Sequence, residues 1–180
     1  ELVAVLAFAA FRNNDKVGLI IFTDEVELFI APRKGKSHVL RVIREVLYFK
    51  PKGKQTNIPK ALEYLIRVSK RRSVSFLISD FFQEDIRKSL NLTNKRHDLI
   101  AITLNDQREH ILPECGLIAL QDAETGQMKM IDSSNKAIRA LYAKQASLRL
   151  EKRDRLFNQA GVDHIDLGTD QPYTKALGSF

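Results

Sequence analysis

The chain has 180 residues, of which 44% are hydrophobic, which is enough for one domain over residues 1–180 with a single core. It carries a formal net charge of +7, but the basic residues are scattered and accompany no nucleic-acid-binding motif, so we expect no nucleic-acid partner. No apolar run approaches the roughly 18 residues of a membrane-spanning helix, so we expect no membrane contact by this segment. Cys115 is the only cysteine, which excludes an intrachain disulfide and favours a cytoplasmic setting, whether or not the parent protein is membrane-anchored.

The first 70 residues alternate between helical and strand-like patterns. The two strands are so close in sequence that we expect an antiparallel hairpin, which Pro32 ends. Asn57, with Pro59 shortly after it, predicts the start of a helix. The predicted elements are a helix over 1–11, strands over 17–22 and 26–30, and helices over 38–49 and 57–69.

The rest of the chain continues the alternation, which predicts an α/β sandwich with a mostly parallel sheet. A polar turn at Asp122–Gly126 predicts a hairpin, and Gly161 ends the longest helix. The predicted elements are strands over 74–80, 98–104, 117–121, 127–131 and 162–167, and helices over 84–92 and 135–159, with a last helix starting at Pro172.

Asp80 comes directly after the apolar run Val74–Ser79, which reads as a buried parallel strand. In open α/β sheets, ligands bind at the carboxyl ends of the strands. Thr56 lies in the loop before a helix, so its hydroxyl could reach the same end of the sheet. Hydroxyl and carboxylate oxygens suit Mg²⁺, Mn²⁺ or Ca²⁺. On spacing alone, however, each residue is explained at least as well as a helix cap.

An ordered set of short motifs runs along the chain from the first residue to the last: Asp15–Ile20, Pro32–Gly35, Gln55–Asn57 with Ala61–Leu62, Ile78–Phe81, Arg96–Ile100, Asp122–Gly126 and Pro172–Tyr173. Together these motifs resemble a specific family, the bacterial von Willebrand factor A-like proteins of domain-of-unknown-function family 58, which are associated with MoxR-type AAA+ ATPases.

The resemblance implies a von Willebrand A fold, a three-layer Rossmann-like sandwich, with a metal-ion-dependent adhesion site. Thr56 matches the second element of that site and Asp80 the third. The first element, an Asp-x-Ser-x-Ser loop after the first strand, would lie upstream of Glu1. We therefore expect the complete parent domain to bind Mg²⁺ (or Mn²⁺ or Ca²⁺), and this chain to bind it weakly or not at all.

The same resemblance places the missing first strand between Val17–Phe22 and Val74–Asp80, which both read as doubly buried. Two unpaired strand edges would be an aggregation hazard. We therefore expect either direct pairing across the gap or completion by another chain, including a non-native dimer formed through the exposed strand edges.

The function implied by the resemblance is that of a non-enzymatic protein-interaction module. Its partner would be a MoxR-type ATPase or a client that the ATPase remodels or assembles. Phe81 and Phe82, directly after Asp80, are candidates for the partner contact. The alternative is an Mg²⁺-dependent hydrolase or phosphoryl-transfer enzyme centred on Asp80, which would need Asp24 or Asp106 nearby and a base.

Overall fold

The computed structural model describes residues 1–83, 85–121 and 126–169, and the chain forms two compact units, Glu1–Lys70 and Arg71–Phe180. We call them unit 1 and unit 2 and describe each by itself. The expectation of a single domain over residues 1–180 stays a prediction. The turn residues Asp122–Thr125, the predicted helix start at Glu84 and the predicted helix at Pro172 lie outside the described residues.

Unit 1 consists of three helices and a two-stranded antiparallel sheet. Its elements are α1 (Leu2–Arg12), β1 (Val17–Phe22), β2 (Val26–Arg33), α2 (Lys36–Tyr48) and α3 (Ile58–Val68). The core side chains come mainly from the amphipathic helices: Val39 and Val42 of α2, and Ile58 and Leu62 of α3, are buried. The predicted hairpin and helices of this unit are therefore confirmed.

Pro32 lies inside β2, so the expectation that it ends the hairpin is wrong. Val17 pairs with Arg33 and Leu19 with Ile30, so the register shifts and two residues of β2 face the single Gly18. This is a β-bulge, where a proline costs no ladder hydrogen bond. A Cβ on Gly18 would lie 2.9 Å from the Cγ of Pro32, which explains the glycine.

Unit 2 is built around a parallel sheet in the order β3-β4-β7, with a separate antiparallel hairpin of β5 and β6. The central strand β4 is the most buried, as its continuous apolar run predicts. The elements are β3 (Val74–Ser79), α4 (Arg87–Arg96), β4 (Asp98–Asn105), a 3₁₀ turn (Gln107–Glu109), β5 (Leu117–Gln121), β6 (Met128–Asp132), α5 (Lys136–Ala160) and β7 (Asp163–Gly168).

The strand that leads to Asp80 is an edge strand of its sheet. β3 pairs only with β4 among the described residues, and Val74 and Phe76 are 57% and 40% exposed. The expectation that this strand is doubly buried is therefore wrong. β1 and β3 belong to different units, so direct pairing between the two strands stays a prediction. Completion of either edge by another chain stays a prediction.

The helix after Asp80 begins later than the sequence pattern predicts. α4 starts at Arg87 and ends at Arg96, because Asp85 adopts a left-handed conformation with φ +58° that a helix cannot continue through. Ile86 then turns into the core, where it is fully buried. Asp85 and Ile86 therefore belong to the connection that precedes α4 rather than to its first turn.

Candidate functional site

Asp80 lies at the carboxyl end of β3 and is exposed to solvent. Its Oδ1 accepts a hydrogen bond from the backbone N–H of Phe82 at 3.3 Å, which is an Asx turn. Ser79 supports the same turn, since its hydroxyl lies 3.4 Å from Oδ1 and accepts the N–H of Phe81 at 3.3 Å. The carboxylate is therefore held in one orientation while it remains open to a ligand.

Phe81 is held in a conformation that a bulky residue rarely adopts. Its φ is +56°, and such left-handed backbone in a non-glycine residue marks strain that the surroundings must maintain. The side chain is only 6% exposed, and its ring meets Phe157 edge to face at a centroid distance of 4.9 Å. Packing in the core therefore fixes the turn that presents Asp80.

The expectation that both Phe81 and Phe82 face a partner is wrong for Phe81, because its ring fills the core beneath α5. The left-handed turn sends the two adjacent rings in different directions. Phe82 is 55% exposed, and the guanidinium of Arg149 lies 5.9 Å from its ring centroid, within cation–π range. Partner binding by Phe82 stays a prediction.

Thr56 lies in unit 1, half-buried, in the loop that leads into α3. The next residue, Asn57, caps the helix: its Oδ1 accepts the backbone N–H of Lys60 at 3.0 Å. Asn57 also donates its own N–H to the carbonyl of Thr23 at 2.8 Å. The predicted N-cap is therefore confirmed, and it ties the residue beside Thr56 to the tip of the β1–β2 hairpin.

Glu27 of β2 makes a second connection between the hairpin and this loop. Its carboxylate accepts the Thr23 hydroxyl at 2.6 Å and the N–H of Gly53 at 3.0 Å, and its two oxygens accept the N–H of Lys52 at 3.1 and 2.9 Å. The Thr23 hydroxyl, followed by the Gly53 and Lys52 N–H groups, holds the pKa of Glu27 below its usual value.

Sequence reasoning missed Glu27, because the strand pattern marks it only as a polar residue between the inward-facing Val26 and Leu28. The available signal was in the opposing loop. A Lys-Gly-Lys segment places a small residue and free N–H groups where a carboxylate can bind them.

Thr56 and Asp80 belong to different units. Their joint participation in one site therefore stays a prediction. Both supply a hard oxygen donor of the kind that Mg²⁺ and Ca²⁺ prefer, so the residues fit the cation that the resemblance implies. Two donors fall short of the roughly six oxygen ligands that such ions take.

A second group of potential ligands joins α5 to β7, where ligand atoms of Asp154, His164 and Asp166 are all within 4.8 Å of one another. The buried guanidinium of Arg153 already binds the two carboxylates of this group. Its Nη2 lies 3.0 Å from Asp154 Oδ1 and 2.8 Å from Asp166 Oδ2. A cation would compete with the arginine for the same oxygens, so we interpret the group as an ion-pair network that fixes α5 on β7.

Asp106, a candidate for the enzymatic alternative, is committed to local hydrogen bonds. Its Oδ1 accepts the N–H of Arg108 at 2.8 Å and its Oδ2 accepts the Thr169 hydroxyl at 3.1 Å. These two donors, in that order, hold the pKa of Asp106 below its usual value. Among the described residues, Asp80 is part of no group of three acidic or histidine ligands.

Comparison with known proteins identifies the family. Residues 1–152 match the family described as "Protein of unknown function DUF58". The chain belongs to the DUF58 family. The resemblance drawn from the sequence motifs is therefore confirmed at this level, and the finer assignment to a von Willebrand A-like fold with an adhesion site is taken up as a proposal.

Curated relatives of the DUF58 chain come from mycobacteria. An uncharacterised protein of Mycobacterium tuberculosis (strain ATCC 25618 / H37Rv) is 27% identical over 180 aligned residues, which cover 98% of this chain and 56% of that protein. An uncharacterised protein of Mycobacterium avium is 30% identical over 133 residues, covering 72% of this chain and 77% of that protein. The chain thus spans 56% of the length of the first relative, little more than half.

Solved structures with the same fold come from Bacteroides. The conserved hypothetical protein BatB of Bacteroides thetaiotaomicron superposes with a TM-score of 0.59 at 15% identity, covering 99% of this chain and 82% of that one. An aerotolerance-related membrane protein of Bacteroides fragilis, carrying multiple mutations to serines, gives a TM-score of 0.59 at 16% identity, covering 99% and 83%. At this identity the likeness concerns the fold alone.

Within residues 1–83, 85–121 and 126–169, no helix is long and apolar enough to cross a bilayer.

Proposed function

We propose that this DUF58 chain is part of a non-enzymatic, von Willebrand A-like protein-interaction module. In this proposal Asp80 and Thr56 contribute oxygen ligands to a divalent cation, preferably Mg²⁺, and the cation grips an acidic side chain of a partner. The partner is a MoxR-type AAA+ ATPase or one of its clients, and the setting is protein assembly or remodelling in the cytoplasm. The partner is inferred from the family resemblance.

The observation that carries the proposal is that the Asp80 carboxylate is exposed and held in a fixed orientation. An exposed carboxylate at the carboxyl end of a parallel strand is where α/β folds bind ligands. Here the Asx turn to Phe82 fixes its orientation, and the strained, core-anchored Phe81 fixes the turn. Strained backbone of this kind persists only where the surrounding structure holds it in place, and it is found mostly at ligand and active sites.

Binding is favoured over catalysis by what surrounds the carboxylate. An Mg²⁺-dependent hydrolase centred on Asp80 would need at least one more carboxylate and a base converging on it. Within the described residues Asp80 belongs to no trio of acidic or histidine ligands, and both oxygens of Asp106 already accept hydrogen bonds. A binding module needs only a cation with one free coordination position, which a carboxylate of the partner would fill.

When bound, the cation would supply a positive charge that bridges Asp80 to the partner's carboxylate. The chain's own residues do the rest of the work: Ser79 and the Phe82 N–H orient the Asp80 carboxylate, and Phe82 offers an exposed apolar ring beside it. Arg149, next to that ring, adds a positive charge that favours an acidic partner.

The proposal is tested by measuring binding of the chain to a purified MoxR-type ATPase of the same genome by biolayer interferometry, with millimolar Mg²⁺, which would fill the weak site expected of this chain, or with EDTA. We expect Mg²⁺-dependent binding that Asp80→Asn weakens at least about tenfold, since a charged ligand is lost. Asp85→Asn, which removes an equal charge from the same connection, is the matched control. Binding that is equal in EDTA and in the Asp80 variant would contradict the proposal.

A further inference from the structure

We propose that Glu27 is a positioning residue for Thr56, holding the loop before α3 so that the Thr56 hydroxyl is presented in a fixed place. This inference rests on the proposed function, since it assigns a role to the loop that carries one of the two expected ligands. It is argued entirely within unit 1, where the hairpin and the loop are both described.

The first step is the number of bonds that one carboxylate makes to the loop. Glu27 accepts the backbone N–H groups of two consecutive residues, Lys52 at 3.1 and 2.9 Å and Gly53 at 3.0 Å. A carboxylate has acceptor sites only, so it can satisfy both N–H groups and the Thr23 hydroxyl at once. A glutamine in its place would offer one acceptor oxygen and an amide group that repels N–H donors.

The second step is the close approach of the loop to the hairpin at Gly53. A Cβ added there would overlap Asp24 Oδ1 and Thr23 Oγ1 and would lie 2.8 Å from the Thr23 Cβ. The two oxygens could rotate away but the Thr23 Cβ is attached to the backbone, so any other residue would push the loop away from the Glu27 carboxylate. Glycine at this position therefore serves close packing against the hairpin tip.

The third step is the fixed point on the other side of Thr56. Asn57 donates its N–H to the carbonyl of Thr23 at 2.8 Å and caps α3 through Lys60. Thr23 thus supports both ends of the segment: its carbonyl accepts the Asn57 N–H directly, and its hydroxyl donates to the Glu27 carboxylate that holds Lys52 and Gly53. Only residues 54–56 lie between the two attachments, which leaves Thr56 little freedom.

The alternative is that Glu27 merely stabilises unit 1. The two readings differ in what Glu27→Gln changes. A structural role changes the unfolding midpoint, whereas a positioning role changes the local order of Thr56. Glu25→Gln is the matched control, because Glu25 lies on the same hairpin and loses the same charge but only pairs with the exposed Lys60 at 2.9 Å.

The experiment uses the 180-residue chain and measures amide hydrogen exchange of Gly53 and Asn57 together with the NMR order parameter of the Thr56 methyl group. Glu27→Gln should speed exchange about tenfold or more and lower the Thr56 order parameter, while Glu25→Gln leaves both unchanged. Gly53→Ala, which keeps Glu27 but displaces the loop, should have the same effect as Glu27→Gln. Equal exchange and equal methyl order in the Glu27 and Glu25 variants would overturn the inference.

A second measurement separates this inference from the proposed function. Mn²⁺, used as the probe at millimolar concentration, should broaden the signals of Thr56 in the wild type, and Glu27→Gln should abolish this effect while broadening at Asp80 persists. Broadening at Thr56 that survives Glu27→Gln would overturn the positioning role. If Mn²⁺ broadens neither residue in the wild type, the proposed function fails, and the methyl order parameter alone decides the role of Glu27.

Discussion

Replacing Phe81 by glycine and by alanine separates the two forces that act on the turn behind Asp80. Both substitutions remove a ring that is 6% exposed and packs edge to face on the fully buried Phe157. Only glycine also relieves the cost of the left-handed backbone, since Phe81 has φ +56°. The two variants therefore share the packing loss and differ in the strain.

The expected magnitudes follow from these contacts. Truncating a buried phenylalanine to alanine costs about 3–5 kcal/mol, of which the aromatic pair contributes about 0.5–1.5 kcal/mol beyond its buried area. A non-glycine residue in the left-handed region costs roughly 1–2 kcal/mol. Phe81→Gly should therefore be more stable than Phe81→Ala by about 1 kcal/mol, the reverse of their order in ordinary extended backbone.

Urea denaturation followed by circular dichroism measures the free energy of unfolding of each variant. Phe82→Ala is the control, because that ring is 55% exposed and its loss should change stability by less than about 0.5 kcal/mol. A Phe81→Gly protein that is less stable than Phe81→Ala would refute the argument that the turn is strained. A Phe82 effect as large as that of Phe81 would refute the assignment of Phe81 alone to the core.

Three further predictions concern other parts of the fold. Burial, followed by the charge of Arg96, lowers the pKa of His97 from 6.5. The contribution of the neutral imidazole to the free energy of unfolding should therefore be complete above pH 6.5 and decrease below it, by at most about 1.4 kcal/mol per pH unit. Urea denaturation at several pH values should show this decrease in the wild type and not in His97→Gln. Arg153→Met should cost about 1–3 kcal/mol by urea denaturation, and Mg²⁺ should not restore it; full rescue by Mg²⁺ would make the Asp154–Asp166 group a metal site. Asn57→Ala should cost about 1 kcal/mol of thermal stability, and no loss would contradict its capping role.

Regular elements were largely predictable from the sequence because their signals are local. The parallel strands β3 and β4 follow mainly apolar runs, and β7 follows an alternation that buries Ile165 and Leu167. Gly161 ends α5 in the left-handed conformation that its sequence position predicts. The late start of α4 was not predictable in the same way. It depends on Asp85 in a left-handed conformation and on the burial of Ile86, both consequences of tertiary packing.

In the candidate site, too, the features set by local sequence could be predicted and those set by tertiary contacts could not. Asp80 could be placed at the end of a strand from its sequence position, and the Asn57 cap from residue type. The orientation of Phe81 could not, because nothing in two adjacent phenylalanines indicates which one enters the core. Contact with Phe157, far along the chain in α5, decides it. The role of Glu27 could not be predicted for the same reason, because its partners Lys52 and Gly53 are distant in sequence.

The central claim, that Asp80 is a metal-ligand position, is tested most directly by paramagnetic relaxation. Mn²⁺ is titrated into the isotope-labelled chain and the broadening of each backbone amide is recorded. We predict that millimolar Mn²⁺ broadens residues 79–82, in addition to the broadening expected at Thr56, and that Asp80→Asn removes the broadening at residues 79–82. Broadening that is confined to Asp154 and Asp166, or that is unchanged by Asp80→Asn, would contradict the claim.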